Sequence, residues 1–393
     1  MPDMSGPGYP AARVVAQKVQ SHFARRLALA RDRRRELREL LAPEPDAEAI
    51  EALIDVAFWA SLRREEGLTP KISLALLPPE QAGQPLRFEQ QLPLDAAALA
   101  KLAPAVERPG IHLGVWHDSA ADRVAGNLGT LRVWGTTRVL PAYCFVIEVV
   151  ASGLLVVKDR SEPIGKFINV AVLEGDQIKF VDEHGIEVPD CPGVLKSLLG
   201  FDIAASNSES VNVLVQLGAS MRAHGRGGTL LVTPAGSSSW RESIAGPVVY
   251  ALQPPFAELA NLMRQDGDIR ESHEWQEDFR RAVDAIAGLT AVDGATLITD
   301  QYEVLAFGAK ITRRRGSPPV DTVMVTEPVE GSTTSTATPT QLGGTRHLSA
   351  AQFVHDQREA VALVASQDGR FTIFKWSPCE DLVHAHRVET LLL

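Results

Sequence analysis

Five prolines between positions 70 and 93 (Pro70, Pro78, Pro79, Pro85 and Pro93) separate two stretches of chain whose apolar residues recur at different periods. Proline lacks an N–H donor and fixes φ, so no long helix runs through such a segment. On the N-terminal side the period is helical. Val15, Val19, Phe23, Leu27 and Ala30 fall three or four apart within residues 13–38, with Lys18, Arg25, Arg26, Arg31, Arg33, Arg34 and Arg35 around them. A second helix is predicted over residues 46–66, with Ile50, Leu53, Ile54, Ala57, Phe58 and Leu62 on one stripe packing against the first.

Beyond the prolines the pattern becomes extended. Residues 111–116, 129–134, 144–150, 153–158, 169–173 and 177–181 are short β-rich runs. Turns are expected at Gly126-Asn127, Ser152-Gly153, Glu174-Gly175-Asp176 and His184-Gly185. A mostly antiparallel sheet is indicated. His112, Trp116, His117, Trp134 and Lys158 are either lining residues of a ligand pocket in that sheet or ordinary core and edge positions.

From about residue 201 strands and helices alternate. Ser206-Asn207-Ser208-Glu209 reads as a capping box before a helix carrying Val211, Leu214, Val215 and Met221. Gly225, Gly227 and Gly228 stop that helix, and Thr229-Leu230-Leu231-Val232-Thr233 follows as a buried strand. Arg222, His224 and Arg226 are then either an anion-binding feature or basic residues that complement a helix end. Trp275, Phe279, Val283, Ile286 and Leu289 mark another amphipathic helix. Strands are expected at residues 289–298 and 303–311, and a hairpin at 361–364 and 371–374 around Asp368-Gly369. The Ser-, Thr- and Pro-rich stretch 312–342 reads as a mobile excursion able to act as a lid. The fold class is therefore α+β, with N-terminal helices and a mostly antiparallel β-rich domain followed by a mixed-sheet α/β domain. The expected boundaries are 1–105, 106–200 and 201–393, with a core at 274–376.

The 393 residues can bury more than one core. No apolar run approaches the ~20 residues that span a bilayer, and the N-terminus lacks the apolar core of a secretory signal; a cytoplasmic protein with no membrane partner is expected. Cys144, Cys191 and Cys379 are far apart and read as packing residues, which supports neither disulfides nor zinc. A net charge of -10 argues against a protein coated with nucleic acid. The basic N-terminal helix, lacking interleaved aromatics, reads better as a packed helix with solvated cations than as a nucleic-acid arm. No Walker-type Gly-Lys-Ser/Thr occurs, Gly236-Ser237-Ser238-Ser239 is not a nucleophile elbow, and His384 and His386 read as incidental residues of a frayed end.

Asp293-Gly294-Ala295 and Gly343-Gly344-Thr345-Arg346-His347-Leu348-Ser349 carry the chemistry. A single carboxylate suits Mg²⁺ or Mn²⁺ shared with substrate oxygens, and Arg and His donors at a helix start suit phosphoryl oxygens. The order helix, Asp-Gly-Ala strand, Phe307-Gly308-Ala309 strand, Gly-Thr-Arg-His-x-Ser turn, helix, hairpin with Ser366 resembles the diadenylate cyclase domain of DNA integrity scanning proteins and related cyclases, over residues 289–374. Residues 222–231 and the sheet region before them are similar to a bacterial group in which a predicted sensor domain (DACNV-like) precedes such a cyclase domain.

The resemblance implies a reaction shared by two protomers, in which two ATP molecules condense into cyclic di-AMP across a homodimer or larger homo-oligomer. Asp293 would hold the divalent ion and activate the 3'-hydroxyl; Arg346 and His347 would complete the catalytic set. Gly294 and Ala295 would admit the nucleotide, and Gly344, Thr345, Ser349 and Ser366 would bind it. The N-terminal domain would perceive an unidentified signal ligand. Leu348 and Gln367 stand where such cyclases commonly carry a cation and a carboxylate. A domain that binds ATP or a cyclic dinucleotide without turnover therefore stays open beside the cyclase, as does an interaction protein recruiting nucleic acid or a partner through its first helix.

Overall fold

The computed structural model describes residues 8–33, 41–108, 110–117, 130–160, 167–182, 213–270 and 272–393. The expected turns at Gly126-Asn127 and His184-Gly185, the capping box at 206–209, Arg34, Arg35 and Cys191 lie outside them. The chain divides into two compact units, Met1–Val181 with Leu393, and Asp182–Leu392.

In the N-terminal unit, helices α1 (Ala12–Arg33), α2 (Ala47–Ser61) and α3 (Ala96–Val106) accompany strands β1 (Ile72–Leu76), β2 (Leu86–Pro93), β3 (His112–His117), β4 (Leu131–Thr137), β5 (Phe145–Ala151), β6 (Leu154–Arg160), β7 (Phe167–Glu174) and β8 (Gln177–Phe180). Among the described residues the sheet order is β2-β4-β3-β1-β5-β6-β7-β8, antiparallel except where β1 runs parallel to β3. The helical stripe predicted for α1 is its buried face, since Val15, Val19, Phe23 and Leu27 are fully enclosed. Asp46 caps α2 by accepting from the Ala49 amide at 2.7 Å. Three cations of α1 are engaged within the unit. Lys18 lies over the Phe180 ring, and Arg26 meets the fully buried Asp159 at 3.1 Å. Arg31 reaches Glu44.

The proline-rich segment holds more structure than its composition suggests. β1 is buried at all five positions and sits at the middle of the sheet, while α3 begins at Asp95, whose carboxylate accepts from the Ala97 and Ala98 amides. The prolines fall at the ends of these elements or, as with Pro104, in the last turn of the helix. Helices and strands expected in separate segments, 1–105 and 106–200, thus share one core. The division of the chain falls at Val181–Asp182. Among the described residues no helix is long and apolar enough to cross a membrane.

The C-terminal unit contains α4 (Val213–Ala223), β9 (Gly228–Thr233), β10 (Tyr250–Phe256), α5 (His273–Leu289), β11 (Ala295–Thr299), β12 (Val304–Ala309), β13 (Val323–Thr326), β14 (Ser335–Ala337), α6 (Thr345–Asp356), β15 (Val361–Ala365), β16 (Phe371–Ser377) and β17 (Leu382–Arg387). The sheet order is β10-β12-β11-β9-β15-β16-β17-β13-β14. It is mixed, with β9 parallel to β11 and β13 parallel to β17. β9, β11 and β15 are buried throughout. Their side chains alternate between two cores: Leu230 and Leu363 join Met221, Phe279 and Ile286 on the α4–α5 face, and Leu231 and Val364 join Phe353 and Val354 of α6 on the other. The outermost strand, β10, includes Pro254 and Pro255 and is largely exposed.

Two expectations are corrected. The stretch 312–342 is built into the fold: β13 and β14 extend the sheet, the Val320 amide donates to Gln352 Oε1 at 3.0 Å, and the Arg314 amide donates to Asp356 Oδ2 at 2.8 Å. Gln352 and Asp356 on α6 satisfy backbone groups that loop-like composition left unassigned. The C-terminal segment is not frayed either, because β17 pairs along its length with β16. His384 and His386 are buried, held by Glu380 at 2.7 Å and by Thr326 at 2.6 Å, and burial pushes the His386 pKa down to about 3.

Candidate functional site

Strand register gathers the residues of interest at one end of the C-terminal sheet. β9 and β11 run in parallel with Ala295 beside Thr229, so both start there. β15 runs against β9 with Ala365 opposite Gly228 and finishes there, as does β12, whose Ala309 faces Ala295. β10 begins there with Tyr250 opposite Phe307. Asp293–Ala295, Arg226–Gly228, Ala365–Ser366, Phe307–Ala309 and Tyr250 therefore occupy one rim.

Helix α6 brings the second motif to the same rim. Arg346, in its first turn, is exposed, and a β-carbon at Gly227 would stand 2.7 Å from its Nη1. Gly227 also has φ +70°, a conformation that favours glycine. The sequence therefore removes the side chain where the guanidinium crosses the strand entrance. The Arg346 guanidinium has no hydrogen-bond or ion-pair partner among the described residues, and neither has the carboxylate of the exposed Asp293.

The other predicted residues divide between rim and scaffold. Gly344 and Thr345 are exposed at the α6 start, with open space around the Gly344 α-carbon. The Ser349 hydroxyl donates to the Arg346 carbonyl at 3.1 Å, which holds the turn. Ser366 is half-buried in the β15–β16 turn, where its amide donates to the Arg370 carbonyl at 2.9 Å. Gly294 has φ +109°, and a β-carbon there would meet the Gly308 carbonyl carbon at 2.5 Å. Its missing side chain is thus demanded by the neighbouring strand. Ala295 points into the α6-side core.

His347 is 1% exposed and lies beneath the helix start. Its Nε2 is 3.4 Å from Thr372 Oγ1, its ring meets Phe374 edge-on, and a β-carbon at Gly343 would collide with it. Burial is the main cause that lowers its pKa to about 4; Asp368 opposes the shift, and Arg370, Arg346 and Arg387 add to it. The imidazole is neutral near pH 7 and braces α6 against β16.

The Arg222–Arg226 cluster separates as well. Arg222 donates to the carbonyls of Gly369, at 2.7 Å, and Leu392, at 3.2 Å. His224 Nδ1 accepts from the Arg226 amide at 3.1 Å, which leaves Nε2–H to face Thr290 Oγ1 at 3.3 Å; burial, then Arg226, lowers its pKa. The Arg226 carbonyl accepts from Gln367 Nε2 at 3.3 Å. Its side chain is exposed and has no partner among the described residues. Tyr250, which the sequence reading missed, stacks on Phe307 with centroids 4.7 Å apart and planes at 1°. No local signal marks it, because the pairing of β10 with β12 depends on the tertiary fold.

In the N-terminal unit, His112, Trp134 and Lys158 are tied to Ser73 at 2.7 Å, the Leu77 carbonyl at 2.9 Å and Glu148 at 2.6 Å. His117 lies 3.5 Å from Asp46 and edge-on to Trp116. These are the contacts of core and edge positions. Cys144 is buried, which pushes its thiol pKa up, and Cys379 is exposed.

Among curated proteins none matches the chain. Residues 39–138, which include α2, β1 to β4 and α3, match the family described as "Probable sensor domain DACNV".

Proposed function

We propose that the C-terminal unit binds ATP with a divalent ion and, in a dimer, condenses two ATP molecules into cyclic di-AMP under control of the N-terminal unit. The observation that carries this reading is the shared rim: a free carboxylate at the mouth of β11 and a free guanidinium crossing the mouth of β9, the adjacent strand. The sensor-family match over residues 39–138 supports the regulatory half.

The residues fit a substrate-borne metal. Asp293 is exposed and unpaired among the described residues, and Mg²⁺ or Mn²⁺ is commonly held by one or two carboxylates together with phosphate oxygens and water. Among the described residues no group of three His, Cys, Asp or Glu would hold an ion by itself. When bound, the ion would neutralise phosphate charge and lower the pKa of the attacking hydroxyl. Asp293 would receive the 3'-hydroxyl proton as that oxygen bonds to the α-phosphorus of the opposing ATP and pyrophosphate departs. Arg346 would oppose the charge gathering on the phosphoryl oxygens, aided by the α6 amides. His347 would act by positioning the helix start. A single rim supplies one nucleotide, so the ring product needs a second copy.

A binding module without turnover is favoured by different observations. Leu348 is exposed and uncharged, and the Gln367 amide is committed to the Arg226 carbonyl. Incubating the full chain with ATP and Mn²⁺ and analysing the products by mass spectrometry tests the first reading. Cyclic di-AMP supports it. Thermal protection by ATP with no product selects the second, and neither product nor protection removes both.

A further inference from the structure

We propose that the nucleotide lies across the strand mouths, with its base against Tyr250 and its phosphates at Arg346 and Arg226. This orientation rests on the nucleotide reading above and assigns parts to two residues that reading does not use.

Tyr250 is 48% exposed while its stacking partner Phe307 is half-buried, so Tyr250 is the outer ring of the pair. Its edge packs onto Gly308, where a β-carbon would meet Cδ2 at 2.8 Å and would lie 3.4 Å from the Asp293 carbonyl oxygen. The aromatic pair therefore stands near the backbone of the residue that carries the proposed ion anchor. An outer ring in a parallel stack offers a π surface to a third ring, the mode by which proteins hold bases without reading their edges.

Arg226 marks the opposite end. Its backbone is fixed twice, by the amide bond to His224 and by the carbonyl bond from Gln367, while the guanidinium is left unpaired among the described residues. The next residue, Gly227, is the one Arg346 crosses. An ordinary solvated arginine needs no such fixing, whereas a phosphate donor gains from a held backbone. β10, β12, β11 and β9 are successive neighbours, so Tyr250 and Arg226 are separated by three strand spacings, about 14 Å, with Asp293 between them. That span suits an extended nucleoside triphosphate whose metal-bound phosphates lie inward of its base.

Titration calorimetry of the full chain with ATP plus Mn²⁺, and separately with inorganic tripolyphosphate, tests the orientation. Tyr250→Ala should weaken ATP roughly 5- to 100-fold and leave tripolyphosphate within about twofold. Tyr250→Leu, which keeps apolar cover over Gly308 without a ring, should do the same and guards against loss of fold. Arg226→Ala should weaken both ligands by about tenfold or more. Tyr250→Ala weakening tripolyphosphate as much as ATP overturns the base assignment. Variants that all bind ATP within twofold of the wild type overturn the orientation and leave the nucleotide reading standing. A wild-type chain that binds no ATP overturns both.

Discussion

The guanidinium of Arg346 occupies the volume that a side chain at Gly227 would fill, with Nη1 2.7 Å from the β-carbon position. Two motifs more than a hundred residues apart therefore depend on each other sterically. Gly227→Ala should displace the guanidinium and strain a backbone at φ +70°, costing about 1–3 kcal/mol by urea denaturation and weakening ATP. Arg346→Ala in the same background relieves the clash, so it should recover part of the stability and none of the binding.

Asp293→Asn should abolish ATP-dependent cyclic di-AMP formation. The side chain is exposed and unpaired among the described residues, so the melting temperature of the ligand-free protein should stay within about 1 °C of the wild type. Equal turnover by both proteins removes this carboxylate from the mechanism.

Acid should destabilise the fold through its buried imidazoles. Burial lowers the pKa of His112 and His347 to about 4, against an unfolded value near 6.5. The unfolded chain then binds more protons than the native one between those values. The contribution is therefore fully present above about pH 6.5 and is lost as pH falls toward 4. Urea midpoints should drop across that window, and His112→Asn with His347→Asn should flatten the slope, at lower overall stability, by roughly 1–3 kcal/mol. An unchanged slope would show that these rings are not the titrating groups.

The segment 312–320 should open when its anchor on α6 is cut. Asp356 is buried and accepts from the Arg314 amide, with the Ser317 hydroxyl and Gln352 Nε2 at 2.9 Å on its other oxygen. Asp356→Ala leaves these donors unmatched, at a cost of about 2–4 kcal/mol. Limited trypsin digestion should then cleave at Arg313–Arg315 much faster than in the wild type. Equal rates would mean that β13 alone holds the segment.

Legibility followed the length scale of the signal. The stripes on α1 and α2 and the strands from β3 to β8 are written in neighbouring residues, so their periods disclosed them. β1 and α3 were masked because prolines at their margins dominated the local composition. β13 escaped for another reason: its partner is β17, some sixty residues on, and the glutamine and aspartate that anchor the loop before it sit on an intervening helix. At the rim, residue types pointed to Asp293 and Arg346. Nothing local separated exposed Arg346 from buried His347 beside it, because the facing of a helix's first turn is decided by what it packs against. Tyr250 belongs to the same class.

The paired prolines of β10 limit how this sheet can meet another molecule. Neither Pro254 nor Pro255 carries an amide donor, and both lie between Ala251 and Phe256, where the register of β10 against β12 shifts, so the regular row of outward donors is interrupted on this strand. Continuous β-augmentation along that border is blocked, which protects the protein from runaway ribbon-like polymerisation.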